Sequence, residues 1–211
     1  MIHFIEPFIP FDSNCYLLTG TENVLIDTGS GLSARQIISA IVDIVGEEGK
    51  LDRILLTHCH FDHIGGCSDL IDAFGCKVYV GSKDAIPVRD SDPYYTLSTD
   101  FGLKNDPIPV EDLYGGDIID LGEHRLQVIE TPGHTLGGVC YYDQISSSLF
   151  SGDTVFSYGV GRTDFHGGSL EDLRKSIKYL EDMPVQGLYP GHGEPTEDGH
   201  SAIRRGLALI G

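Results

Sequence analysis

Apolar residues come in short runs set apart by glycine, proline and acidic residues, and their spacing alternates between the period of a strand and that of a helix. Residues 14–19 (NCYLLT) and 23–27 (NVLID), divided by Gly20-Thr21-Glu22, read as a hairpin of buried strands. From Ser33 onward Ile37, Ile38, Ile41, Val42 and Val45 share one face of an amphipathic helix that stops at Gly46 and Gly49. A strand at 53–57 (RILLT), a helix at 67–74 closed by Gly75 and a strand at 77–80 follow. This alternation predicts parallel strands joined by helical crossovers, an α/β class.

Between Gly81 and Gly116 the pattern dissolves into Asp, Pro, Tyr and Ser, punctuated by Pro87, Pro93, Pro107 and Pro109. A loop of this length usually covers a site. Strands return at 118–121, 125–130, 139–142 and 149–150. Ser169 with Asp172 opens a helix whose Leu170, Leu173, Ile177 and Leu180 share a face, stopped before Pro184; a strand at 185–189 and a helix at about 198–209 complete the chain. The second half thus repeats the first in outline. Two β-rich halves packed as a sandwich, with helices on both outer faces, form one domain spanning residues 1–211.

Charge and cysteine usage narrow the partners. Fourteen Lys+Arg against 32 Asp+Glu leave a formal charge of −18, which repels nucleic acid and anionic membrane surfaces. No stretch reaches the ~18 apolar residues of a membrane span, and residues 1–11, with Glu6, Pro7 and Pro10, do not read as a signal peptide. Cys15, Cys59, Cys67, Cys76 and Cys140 contain no C-x-x-C pair and suit reduced thiols. The expectation is a cytoplasmic protein acting on a small molecule, with no nucleic-acid or membrane partner.

Five of the nine histidines follow expected strands: His58, His60 and His63 in THCHFDHIGG, His134 in TPGHTLGG and His192 in PGHGEPT. Asp62 sits within the first string and Asp153 ends a strand in FSGDTVF. Strand ends are where α/β folds build ligand sites. A single histidine there is ordinarily a satisfied polar group. In the string H-x-H-x-D-H, however, alternate positions let His58 and His60 converge while Cys59 packs away, and Asp62 and His63 project toward a second point. Three imidazoles and a carboxylate within six residues would destabilise one another unless a cation lay among them. His and Asp donors without thiolate suit zinc, iron or manganese. Seven donors are too many for one catalytic ion and fit two divalent ions, most simply zinc, with iron or manganese as the other candidates; a carboxylate at Asp153 could hold the pair ~3.5–4 Å apart.

These motifs, in this order, resemble the metallo-β-lactamase superfamily of hydrolases from Asp27 to His192. The resemblance implies an αββα sandwich with a dinuclear site between two mixed sheets. It assigns His58, His60 and His134 to one metal, Asp62, His63 and His192 to the other, and Asp153 to both, with Asp27 supporting the H-x-H-x-D-H loop through hydrogen bonds. Asp62 takes the catalytic role of orienting a hydroxide that two divalent ions make available near neutral pH. A competing reading of Gly29 to Ala34 as the dinucleotide pattern G-x-G-x-x-A fails for want of an acidic residue ending the next strand, which closes on Thr57-His58.

Within the superfamily, Gly161-Arg162-Thr163-Asp164-Phe165 is similar to a segment of glyoxalase II-like hydrolases and of persulfide dioxygenases. The bland reading of Arg162 and Asp164 is a pair that braces the loop. Asp153, standing where some true β-lactamases use cysteine, argues against antibiotic hydrolysis. About 19 residues follow His192, fewer than the helical region that holds glutathione in glyoxalase II. The expected activity is hydrolysis of a small thioester or related ester. The alternatives are a persulfide dioxygenase with one iron on His58, His134 and Asp153, a lactonase-type hydrolase, and a metal-stabilised binding module without turnover. Tyr94, Tyr95, Tyr158 and His166 are candidate pocket residues, and Cys59 reads as a small packed side chain.

Overall fold

A computed structural model describes residues 1–103 and 106–211. Six strands form the first sheet, in the order β1 (Ile2–Ile5), β2 (Cys15–Leu18), β3 (Val24–Ile26), β4 (Arg53–Leu56), β5 (Lys77–Gly81) and β6 (Val110–Leu113). The β1–β2–β3 meander is antiparallel and β3 to β6 run parallel. The crossovers are α1 (Ala34–Val45) between β3 and β4, then α2 (Phe61–Ile64) and α3 (Cys67–Phe74) between β4 and β5, then α4 (Ala85–Asp90) before β6.

The second sheet contains β7 (Ile118–Asp120), β8 (Arg125–Glu130), β9 (Val139–Asp143), β10 (Ser148–Gly152) and, past a small hairpin of β11 (Val155–Phe156) and β12 (Gly159–Val160), the strand β13 (Gly187–Pro190). Its order is β13-β10-β9-β8-β7, antiparallel except for β10 beside β13. Helix α5 (Leu170–Glu181) makes that crossover and α6 (Gly199–Ile210) packs beside it.

Period-two alternation in the strands sorts the core into layers. Tyr16, Leu18, Ile26 and Leu55 of the first sheet meet Leu126, Val128, Tyr141 and Phe150 of the second. Their neighbours Leu17, Leu25, Ile54 and Leu56 face outward onto Ile37 and Ile41 of α1 and Leu70 of α3. On the far side Cys140, Tyr142 and Leu149 pack on Leu173 and Ile177 of α5 and on Ala202 and Ile203 of α6. The two sheets with helices on both outer faces are the sandwich expected from the sequence. All five cysteines are free and buried, and among the described residues no helix is long and apolar enough to cross a membrane.

The structure adds short elements that the pattern does not announce. β1 is a half-buried edge strand. Within the expected loop lie α4, a 3-10 turn at Ser98–Phe101 and the edge strand β6; residues 104 and 105 of that loop lie outside the described residues. Pro87 is no obstacle to α4, because it occupies the first turn, where a backbone N–H has no helical acceptor. At the N-terminus of α5 the Ser169 hydroxyl accepts a hydrogen bond from the Asp172 amide, as its spacing predicts.

The turn between β9 and β10 is organised by Asp143, a fully buried carboxylate that accepts hydrogen bonds from His124 Nδ1 (2.8 Å), Ser146 Oγ (2.6 Å) and the amides of Arg125 and Ile145. Burial pushes its pKa up, but these donors outweigh burial and hold it down at about 2. A carboxylate depressed in the folded state stabilises the fold fully above its ordinary range near ~4 and ceases to do so as pH falls through its folded value. Urea denaturation should therefore find Asp143→Asn less stable than wild type by about 1–3 kcal/mol at pH 6, with the difference shrinking as pH falls from 4 toward 2.

Candidate metal centre

The carboxyl ends of β4, β8, β10 and β13 meet at one rim of the sandwich, and the loops that leave them carry His58, His134, Asp153 and His192. Thr57 and the two histidines beyond it lead into α2, which His60 precedes in extended conformation. His58 and His60 consequently converge, with Nε2 of one 3.1 Å from Nδ1 of the other, while Cys59 turns into the core. That separation is close to the ~3.3 Å edge of a tetrahedron with metal–nitrogen bonds of ~2.0–2.1 Å.

The His58, His60 and His134 rings lie 4.6 to 4.8 Å apart between centroids, and His63 is 4.1 Å from His58. Asp62 Oδ2 is 3.2 Å from His192 Nε2 and 3.9 Å from His63 Nε2. Asp153 reaches both groups: Oδ2 is 3.5 Å from His134 Nε2 and 3.7 Å from His192 Nε2, and Oδ1 is 3.4 Å from His63 Nε2. All seven residues singled out in the sequence therefore come together, with donor atoms of His58, His60 and His134, of His58, His63 and Asp153, and of Asp62, His63 and His192 each within 4.8 Å of one another. Close approach at the Asp153 corner requires Gly191, since a Cβ there would collide with Asp153 Oδ1 and the His63 ring.

Outer hydrogen bonds decide which ring nitrogens keep a lone pair. His63 Nδ1 donates to Asp27 Oδ2 at 2.7 Å, and His134 Nδ1 donates to the Arg162 carbonyl at 2.7 Å, so Nε2 of each is turned toward the cluster. Asp27, in the left-handed conformation that Asp tolerates better than most residues, also accepts from the Thr57 amide and hydroxyl at 2.8 Å each. It supports the H-x-H-x-D-H loop as the resemblance implies. Nε2 of His63 and His134 and Oδ1 of Asp153, all facing the cluster, are buried without a hydrogen-bond partner. Three such atoms in one cluster call for an additional binding partner, and their chemistry, imidazole nitrogen and carboxylate oxygen, suits divalent metal ions.

Electrostatics divide the rings into two groups: burial would lower His63 and His192, but Asp27, Asp62 and Asp153 outweigh it at His63, and Asp153 and Asp62 at His192, and hold both above the ordinary histidine range. Burial, reinforced by neighbouring imidazoles, pushes His58 well below the ordinary histidine range and His60 down to about 3, the neutral form a cation binds. Burial works against ionisation of Asp62 and Asp153, but His63 and His192 outweigh it and hold both carboxyls below their usual range.

Around this centre the loops form an aromatic rim. Phe165 stands edge-on to His60 (5.5 Å) and His134 (6.1 Å), with the Arg162 guanidinium 4.2 Å over its ring. Arg162 and Asp164 are joined by two hydrogen bonds at the surface, the bracing pair expected from the sequence. Tyr94 and Tyr95 each lie 4.2 Å from His166. Their segment is tied to the ligand loop by the Cys59 thiol donating to the Tyr95 carbonyl and the Phe61 amide donating to that of Thr96. Tyr158 points into solvent beside Arg205, and Gly29 to Ala34 is a turn whose first carbonyl accepts from the Gly66 amide. A groove of about 630 Å³ between α5 and α6 shares no residue with the cluster.

Two positioning residues escaped the sequence reading. Asn14 donates its side-chain amide to the carbonyls of Pro190 (2.9 Å) and Gly193 (2.7 Å), and its own amide donates to Gly191, which fixes the His192 loop. Asp84, at the head of α4, is buried against both loops of the first histidine group. Asn at the start of a strand and Asp before a helix are too common to have signalled either role.

The family model of the metallo-beta-lactamase superfamily matches residues 9–192. A probable metallo-hydrolase of Methanocaldococcus jannaschii is 35% identical over 198 residues, covering 87% of this chain and 89% of that protein. Among solved structures, the BLEG-1 B3 metallo-beta-lactamase superposes with a TM-score of 0.82 at 32% identity, over 95% of this chain and 96% of its own. TTHA1623 in a di-iron-bound form gives a TM-score of 0.80 at 33% identity, over 99% of this chain and 100% of its own.

Asp27→Asn keeps the left-handed turn but replaces one acceptor oxygen by a donor facing Thr57 or His63. It should lower the stability of the metal-free chain by about 2–3 kcal/mol in urea denaturation at neutral pH, with unchanged far-ultraviolet dichroism.

Proposed function

This chain belongs to the metallo-beta-lactamase superfamily, and on that premise we propose that it is a metal-dependent hydrolase of the glyoxalase II-like branch, cleaving a small thioester or related ester. The observation that carries the reading is the convergence of seven His and Asp side chains around buried nitrogens and an oxygen that no protein group satisfies. His58, His60 and His134 would hold one divalent ion, Asp62, His63 and His192 the second, and Asp153 both. Zinc suits these donors; iron is the alternative, supported by the di-iron form of TTHA1623.

Bound there, the ions supply Lewis acidity toward a carbonyl and a nucleophilic water near neutral pH. The chain's own residues do the rest. Asp62 stays ionised and partly exposed, so it would orient the attacking oxygen toward the carbonyl through its free carboxylate oxygen. Asp27 and the Arg162 carbonyl keep Nε2 of His63 and His134 aimed inward. Phe165 and the Tyr94–Tyr95–His166 cluster offer apolar surface to an acyl group and shield the reacting atoms from bulk water. A thiolate leaves with little acid assistance, its thiol pKa being near ~8.5. A cytoplasmic setting and a small-molecule substrate accord with the five reduced cysteines and the charge of −18.

Thiol release across a thioester panel should be abolished by chelation and restored by zinc, manganese or ferrous iron. His58→Ala should lower kcat/KM by more than about a hundredfold, a loss of ~2.7 kcal/mol of barrier lowering. Undiminished turnover in metal-free protein refutes the reading. Lactones belong in the panel, as does a β-lactam, because one similar structure is a B3 metallo-beta-lactamase. Oxygen uptake with a persulfide at a single iron on His58, His134 and Asp153 would identify the dioxygenase instead. Phe165→Ala should raise KM for apolar acyl groups about two- to tenfold with metal content unchanged, the range expected of one aromatic contact.

A further inference from the structure

Asp84 belongs to no ligand set, yet its carboxylate is the junction between the two loops that carry His58, His60 and His134. The geometry points to Asp84 as the positioning residue of this half of the centre, setting metal affinity there, whereas Asp27 bonds directly to His63 of the other half. This inference rests on the metal reading above.

The junction is specific to ligand-bearing loops. Asp84 Oδ2 accepts a hydrogen bond from the Cys59 amide at 3.0 Å, and Cys59 is the residue between His58 and His60. The same oxygen accepts from the Thr135 hydroxyl at 2.7 Å, and Oδ1 accepts from the Gly137 amide at 2.6 Å, both in the loop that begins with His134. One side chain thereby fixes the peptide linking two imidazoles and the loop presenting the third. Two glycines make the approach possible: a Cβ on Gly137 would collide with the Asp84 amide and carboxylate, and one on Gly81 with the Gly137 carbonyl.

The charge is informative as well. Asp84 is buried and, among the described residues, pairs with no cation, so only neutral donors surround it. Such a carboxylate is expensive as a mere staple between loops. Beside the imidazoles of His58, His60 and His134 it supplies negative potential where a cation would sit.

Asp27 and Asp84 divide the centre without sharing a partner. Asp27 bonds to Thr57 and His63; Asp84 bonds to Cys59, Thr135 and Gly137. Asp27 also reaches His58 through the Thr57 hydroxyl, 3.0 Å from His58 Nδ1, whereas Asp84 touches nothing of the His63 half; loss of Asp84 should therefore weaken one metal position and spare the other.

The test is metal binding rather than turnover. Wild type, Asp84→Asn, Asp27→Asn and Thr135→Val are stripped, titrated with zinc against a chromophoric chelator, and loaded with cobalt for visible spectra. Wild type should bind two equivalents. Asp84→Asn should retain one at wild-type affinity and bind the other about 10- to 100-fold more weakly, with the corresponding cobalt bands diminished. Thr135→Val should shift the same equivalent less, and Asp27→Asn, which also reaches His58 through Thr57, should weaken the other equivalent more than this one. A folded Asp84→Asn protein that binds both equivalents as wild type does, or weakens both alike, overturns the proposal. If that variant does not fold, Thr135→Val decides, and wild-type affinity at both positions overturns it. Wild type that takes up no metal overturns instead the metal reading on which the proposal stands.

Discussion

Four buried imidazoles lie with ring centroids under 5 Å from their neighbours, and two carboxylates stand among them at one rim of the sandwich. In a low-dielectric interior, protonating the rings brings like charges together, and leaving them neutral sets lone pair against lone pair. The fold resolves this by controlling three of the rings from outside. Asp27 holds His63, the Arg162 carbonyl holds His134, and the Thr57 hydroxyl lies 3.0 Å from His58 Nδ1. The unsatisfied nitrogens that remain are the property a cation requires, so the supporting groups rather than the ligands alone define the centre.

The layered architecture makes that control rigid. Each sheet is covered on both faces, so the strands whose ends carry the histidines and Asp153 have no freedom to tilt independently. Tyr141 crosses between the sheets to donate its hydroxyl to the Leu56 carbonyl at 2.6 Å, one residue before Thr57, which locks the approach to the histidine string from the opposite sheet. The less regular parts, the 92–96 segment and the 161–168 loop, form the aromatic rim and are the natural place for substrate preference to vary while the centre stays fixed.

What could be read from the chain beforehand follows a physical division. The central strands, α1, α3, α5 and α6 were legible because each buries a face whose period is written in consecutive residues. The ligand set was legible because four of its seven members lie within six residues and the others follow strands beside glycine. β1, α4 and β6 were not, since they are short, lie at an edge or contain proline, and their pairing depends on distant neighbours. Asn14 and Asp84 were invisible for a related reason. Their partners lie 176 and 179 residues away in one case and 51 and 53 away among the contacts of the other, and nothing local distinguishes them from ordinary polar residues.

The grip of Asn14 on the carbonyls of Pro190 and Gly193 joins the beginning of the first sheet to the last ligand loop. During synthesis, the early meander therefore goes without this clasp until residues 190–193 have been added. Closure of so long a loop is entropically slow. Before the clasp forms, His58, His60 and His63 are already in the chain while the loop that presents His192 is not yet held, so the cluster is assembled by closure of this contact rather than by the appearance of the histidine string.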